Sequence, residues 1–204
     1  MSVMTAPTKR WSAAIPSFPV CRMSVDEYHR FIEAGVFGED DKVELLEGWI
    51  APKMPQNKPH KFSMPKTQYA LLGAMPAGWY VAVQQPVATD DSEPEPDFSI
   101  PRGQIDDYPD GTPDAANVAL LVEVSDSSLE HDRVVKSRIF ARAKYPVYWI
   151  VNIPDRKVEV YTDPTGAAEQ PCYRQQRDYS EAEAVPFVIE NKEVARIPVR
   201  TMLP

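Results

Sequence analysis

Between residues 118 and 153 the chain reads as strand, helix, strand. Val118-Ala119-Leu120-Leu121-Val122-Glu123-Val124 is an almost unbroken apolar run, the pattern of a strand covered on both faces. Ser127 with Glu130 three residues on marks a helix start. At 3.6 residues per turn Leu129, Asp132, Val135, Lys136, Ile139, Phe140 and Ala143 share one face of that helix. Glu130, Arg133, Ser137, Arg138, Arg142 and Lys144 fall on the other, as solvated surface or a basic stripe. Tyr148 to Ile153 supplies the second strand.

The flanking pattern is less regular. Ser24 and Glu27 form a capping box for a helix that turns Tyr28, Phe31 and Ile32 inward and ends near Gly35. Residues 42–50 read as a strand, with Glu47-Gly48 as a bulge or tight turn. The proline-rich stretch 51–59 leads into a helix of about three turns, with Pro65 near its start and Tyr69, Leu71 and Leu72 among its apolar members. Strands are expected at Trp79 to Val83, around Val87, and at 157–161, with a hairpin around Asn191. Residues 101–117 and 163–183 read as polar loops. Residues 1–22 lack periodicity and are expected to be a flexible arm, leaving 23–204 as a single domain. The mixture predicts an α/β (α+β) fold, a mixed sheet flanked by helices.

Length and charge narrow the function. A chain of 204 residues can bury a sizeable core. No apolar run approaches the ~20 residues needed to span a bilayer, and no secretory pattern is visible at the N-terminus. Cys21 and Cys172 lack metal-type spacing, so reduced thiols in the cytoplasm are expected. A net charge of -8 argues against a general nucleic-acid coat protein but leaves room for a nuclease with a local basic surface around an acidic metal site.

Two charges fall on the buried face of the 128–144 helix, Asp132 and Lys136, and Glu123 closes the apolar strand before it. A buried unpaired charge costs several kcal/mol, so such groups have partners, a metal or a role. Glu44 lies in the early apolar strand and Asp97 follows Pro96, which biases the preceding residue toward extended backbone. Two carboxylates at adjacent strand ends with the Val124 carbonyl make an oxygen-rich site suited to Mg²⁺ or Mn²⁺. A nearby lysine could orient an attacking water or stabilise charge growing on a phosphorus centre.

Pro96-Asp97, Glu123-Val124 and a lysine on the following helix together resemble the PD-(D/E)XK nuclease superfamily. More narrowly, 43–48, 92–97, 121–128, Asp132 to Lys136 and 145–151 resemble the Uma-type restriction endonuclease family, over roughly residues 23–165. The resemblance implies a restriction-endonuclease-like fold and a Mg²⁺-dependent endonuclease, with Mn²⁺ as substitute and DNA as substrate. It implies Asp97 and Glu123 as metal ligands, Lys136 as catalytic lysine and Glu44 as accessory acid. It also points to His60, which begins the second helix, as a group on the substrate or metal side. Asp132 is read as the partner orienting Lys136, and Lys53, Lys58, Lys61 and Lys66 as a local phosphate-contacting edge, with Lys58 and Lys61 as candidate substrate contacts. Three positions depart from the pattern: Ser125 where the basic motif has lysine, Val147 where glutamate is usual, and Asn152 where aspartate is usual.

Other readings stay open. Lys136 and Asp132 could be a structural ion pair, and the chain could be a silent nuclease-fold module that binds nucleic acid or protein. A phosphoesterase acting on small nucleotides would share the site chemistry. Cleavage of both DNA strands by a single-site fold would imply a homodimer.

Overall fold

The computed structural model describes residues 19–38, 41–108 and 112–204, so most of the expected N-terminal arm lies outside the described residues. Its centre is a mixed six-stranded sheet ordered β3-β4-β5-β6-β7-β8: Ala82–Val83, Phe98–Pro101, Val118–Ser125, Val147–Asn152, Lys157–Pro164 and Tyr173–Ser180. The β5–β6 pair is parallel, as the strand-helix-strand crossover between them requires, and the pairs on either side are antiparallel. Alternation along β5 and β6 sorts two cores. Leu120, Val122, Val124, Trp149 and Val151 face α2 (Lys58–Ala74) and the hairpin β9–β10 (Ala184–Ile189, Lys192–Pro198). Leu121, Tyr148 and Ile150 face Ile139 and Phe140 on the opposite side.

That second face is covered by α3 (Leu129–His131), a π-helical turn (Asp132–Lys136) and α4 (Ser137–Arg142). The expected regular helix is therefore interrupted where its two buried charges lie. Its start also differs, because the N-cap position belongs to Ser128 and no side chain caps it. Widening of one turn explains why Ser137, assigned to the solvated face by strict 3.6-residue periodicity, is buried.

Helix α1 (Val25–Glu33) carries the predicted Ser24–Glu27 capping box. Tyr28 is buried, but Phe31 and Ile32 are exposed, contrary to their expected inward placement. Helix α2 is nearly five turns long rather than three, so Pro65 lies inside it, and Pro59 takes the first-turn place that suits proline. Leu71 is buried, whereas Tyr69 and Leu72 are exposed. Val87 is buried outside any strand, and the 163–183 stretch contains β8.

In place of the one strand expected over 42–50 there are two, β1 (Val43–Leu46) and β2 (Trp49–Pro52), joined by a two-residue turn with Leu46 opposite Trp49. Both turn residues have left-handed backbones, Glu47 at φ 51 and Gly48 at φ 76, as a type I′ hairpin demands. The Glu47 carboxylate is gripped by Arg138 and Arg142 of α4, and Arg142 also holds Asp91. A Cβ on Gly48 would lie 2.5 Å from Arg22 Cβ and 3.0 Å from the Met23 carbonyl oxygen. Gly48→Ala is accordingly expected to lower stability by about 1–3 kcal/mol, read as a lower urea midpoint at unchanged slope. An unchanged midpoint would mean that the turn relaxes at no cost.

Candidate active site

Strand alternation places Glu123 and Ser125 of β5 on the face turned toward the π-helical turn, while Val122 and Val124 turn the other way. Phe98 pairs with Val122, so the preceding Asp97 arrives beside Glu123 as β4 begins. The Val124 N–H donates to Asp97 Oδ2 at 2.8 Å, and the Asp97 N–H lies 3.4 Å from Glu123 Oε2. On its other side the Asp97 carbonyl accepts from the Gln84 N–H at 3.1 Å. Asp97 thus stands just ahead of β4 with its carboxylate turned across the neighbouring strand.

Lys136 completes the group. Its Nζ donates to Glu123 Oε1 at 2.7 Å, lies 3.6 Å from Glu44 Oε2 and reaches the Glu95 carbonyl at 3.5 Å. Glu44, on β1, is buried and its other contact is the Glu95 N–H at 3.2 Å. Asp132 is also buried and accepts from Ser125 Oγ at 2.7 Å, while its charge acts on Lys136 without a hydrogen bond between the two. The Tyr148 hydroxyl, its pKa raised by burial, donates to the Asp132 carbonyl at 3.2 Å. Arg133, one residue on, makes a two-point pair with the buried Glu159 of β7. The π-helical turn is therefore fixed at Ser125, at Glu159 and at Glu123.

The electrostatics follow from crowding acids in a buried place. Burial pushes the Glu123 carboxyl well above its usual range; Lys136 opposes this, and Asp132 and Asp97 add to it. For Lys136, burial works against the charge, but Glu123, Glu44 and Asp132 outweigh it and hold the ammonium protonated. One cation among several carboxylates leaves the site in need of positive charge.

His60, at the third position of α2, sits behind Asp97 with Nε2 3.0 Å from Oδ2. Its Nδ1 is buried and has no hydrogen-bond partner among the described residues. Asn57 caps α2 by accepting the His60 N–H and crosses to Asp126, its amide donating at 2.5 Å. These residues line a cavity of about 100 Å³ that also takes in Gln84, Ser127, Ser128 and His131. His131, at the end of α3, is part of the pocket wall. Lys53, paired with Glu95, also lines it, and Gln84, 3.4 Å from Asp97 Oδ1, was missed because nothing in its local sequence marks it. Lys61 lines an adjoining cleft, and Lys58 is exposed at the start of α2, outside the pocket.

The departures from the family pattern have structural roles. Ser125 holds Asp132, Asn152 donates to both Glu159 at 2.6 Å and Asp155 at 2.9 Å, and Val147 packs against the core. An aspartate at 152 would set a third carboxylate against those two.

Among the described residues, no three Asp, Glu, His or Cys side chains converge as a ready metal cage. The donors present still fit a hard cation: Mg²⁺ commonly takes one or two carboxylates and completes its shell with water and substrate phosphate. Asp97, Glu123 and the Val124 carbonyl are of that kind. Likewise among the described residues, no helix is long and apolar enough to cross a membrane.

A crystal structure described as a putative nuclease belonging to DUF820, from Anabaena variabilis ATCC 29413, is similar in fold with a TM-score of 0.64 at 13% identity. The likeness covers 88% of this chain and 97% of that one. No curated protein matches the sequence. The family model of Uma2, described as a putative restriction endonuclease, matches residues 25–195, and the chain belongs to that family.

Proposed function

We propose that the protein is a metal-dependent endonuclease that hydrolyses phosphodiester bonds in DNA. The observation that carries this reading is the buried alignment of Asp97, Glu123 and Lys136 at the junction of β4, β5 and the π-helical turn. Asp97 and Glu123, with the Val124 carbonyl, would hold Mg²⁺, or Mn²⁺ in its place. Such an ion supplies Lewis-acid polarisation of the phosphoryl oxygen and a more acidic water.

The remaining work belongs to the chain. Lys136 presents a fixed ammonium to the attacking water or to the oxygens where negative charge grows. Glu44 keeps Lys136 from leaning wholly on Glu123, and Ser125 and Asp132 fix the turn that delivers it. His60 orients Asp97 from behind. Lys58 and Lys61, at the rim, are assigned to flanking phosphates.

The test is nicking of supercoiled plasmid by the full chain with Mg²⁺ or Mn²⁺, with and without EDTA. Scission that needs the metal and stops with EDTA is expected. Undiminished scission in EDTA would overturn the metal assignment. Metal-dependent DNA binding without scission would favour a silent binding module, and turnover of nucleotides alone would move the reading to a small-substrate phosphoesterase.

A further inference from the structure

Strand β8 closes one side of the sheet, and among the described residues only β7 pairs with it. Arg174 to Asp178 are exposed on both faces. A strand of this length without proline offers a row of backbone donors and acceptors, and proteins either guard such edges with repelling charge or pair them.

The sequence here is not a repelling one. Tyr173-Arg174-Gln175-Gln176-Arg177-Asp178-Tyr179 is self-complementary in charge about Gln176, with Arg174 and Asp178 at mirrored positions. An antiparallel copy turned about Gln176 sets Arg174 opposite Asp178, Gln175 opposite Arg177 and Tyr173 opposite Tyr179. Opposite charges meet twice, and no like charges lie directly across. Moving the centre half a residue toward Gln175 sets Arg174 against Arg177, and moving it to Arg177 sets that residue against itself. Within the chain, Arg174 reaches Asp163 at 3.0 Å through one guanidinium nitrogen, and Lys157 reaches Asp178 at 2.8 Å. Those are exposed pairs of small worth and do not compete strongly.

We propose that β8 is a homodimerisation edge, with two copies joined antiparallel about Gln176 into one continuous sheet. The surface is isologous, so its natural occupant is a second copy of this chain. The proposal is independent of the nuclease reading.

Sedimentation of the full chain over a range of concentrations tests it. The wild type is expected to dimerise reversibly, and Arg174→Asp and Asp178→Arg each to weaken the dimer at least about tenfold. The double variant should return to within about threefold of wild type. It carries the same intrachain repulsions as the singles, so recovery can come only from across the interface. At the two-fold axis Gln176 would meet itself with Cα atoms about 4.5–5.5 Å apart, within disulfide range. Gln176→Cys, made with the exposed Cys21 and Cys172 replaced by serine, should therefore cross-link on mild oxidation. A wild type monomeric throughout, singles as tight as wild type, a double as weak as the singles, or no cross-link would each overturn the proposal. Circular dichroism confirms that the variants fold.

Discussion

Glu123→Gln and Lys136→Met are each expected to lower metal-dependent plasmid nicking at least a hundredfold, toward about a thousandfold. The two changes act differently on the fold. Lys136→Met leaves Glu123 and Glu44 buried without their cation, and Glu123→Gln leaves the ammonium, among the described residues, with Glu44 alone within ion-pair distance at 3.6 Å. Breaking a buried pair from one side costs about 3–5 kcal/mol, whereas removing both charges together costs far less. The double variant Glu123→Gln/Lys136→Met should thus regain much of the urea stability lost by Lys136→Met and regain none of the nicking. A merely structural ion pair predicts the contrary, with activity following stability. Nicking by Glu123→Gln within threefold of wild type would end the case for this site.

Much of this site was legible because its members sit in strong local patterns. The apolar run of β5 isolates Glu123, and helical periodicity sets Lys136 on the buried face whether the turn is regular or widened. The partner of Asp132 was not legible. Helical spacing sets it beside Lys136 four residues on, but its hydrogen bond from Ser125 comes from the strand before the helix and has no local sequence mark. The basic stripe of Arg133, Arg138 and Arg142 read as solvated or phosphate-facing, yet its partners are Glu159, Glu47 and Asp91, distant in sequence. Strand β8 was missed for a simpler reason. Most of its residues are exposed on both faces, so it shows no alternation of apolar and polar positions. Glu44 could have been an exposed strand-edge acid; only the approach of Glu95 and Lys136 from elsewhere in the chain buries it.

Acid should expose how the π-helical turn is held. Glu159 is wholly buried, and burial alone would raise its pKa. Hydrogen bonds from Arg133, Tyr161 and Asn152 reverse this and hold the carboxyl at about 2, against 4.5 unperturbed. A depressed folded pKa contributes stability that is complete above the unfolded value. That stability is lost as pH falls through the folded one. The window here runs from about pH 4.5 down to about 2, and at 1.36 kcal/mol per unit the contribution is about 3 kcal/mol. Glu159→Gln keeps the shape and an acceptor but not the charge. It should therefore be less stable than wild type by about 2–3 kcal/mol at pH 7, and the gap should close as the pH is lowered toward 2. Urea midpoints of the two proteins, measured side by side across that range, read the gap directly. A gap that stays constant with pH would show that the clamp on Arg133 acts through shape and hydrogen bonding alone. A gap that closes would show that charge fixes the outer side of the turn while Glu123 engages Lys136 on the inner side.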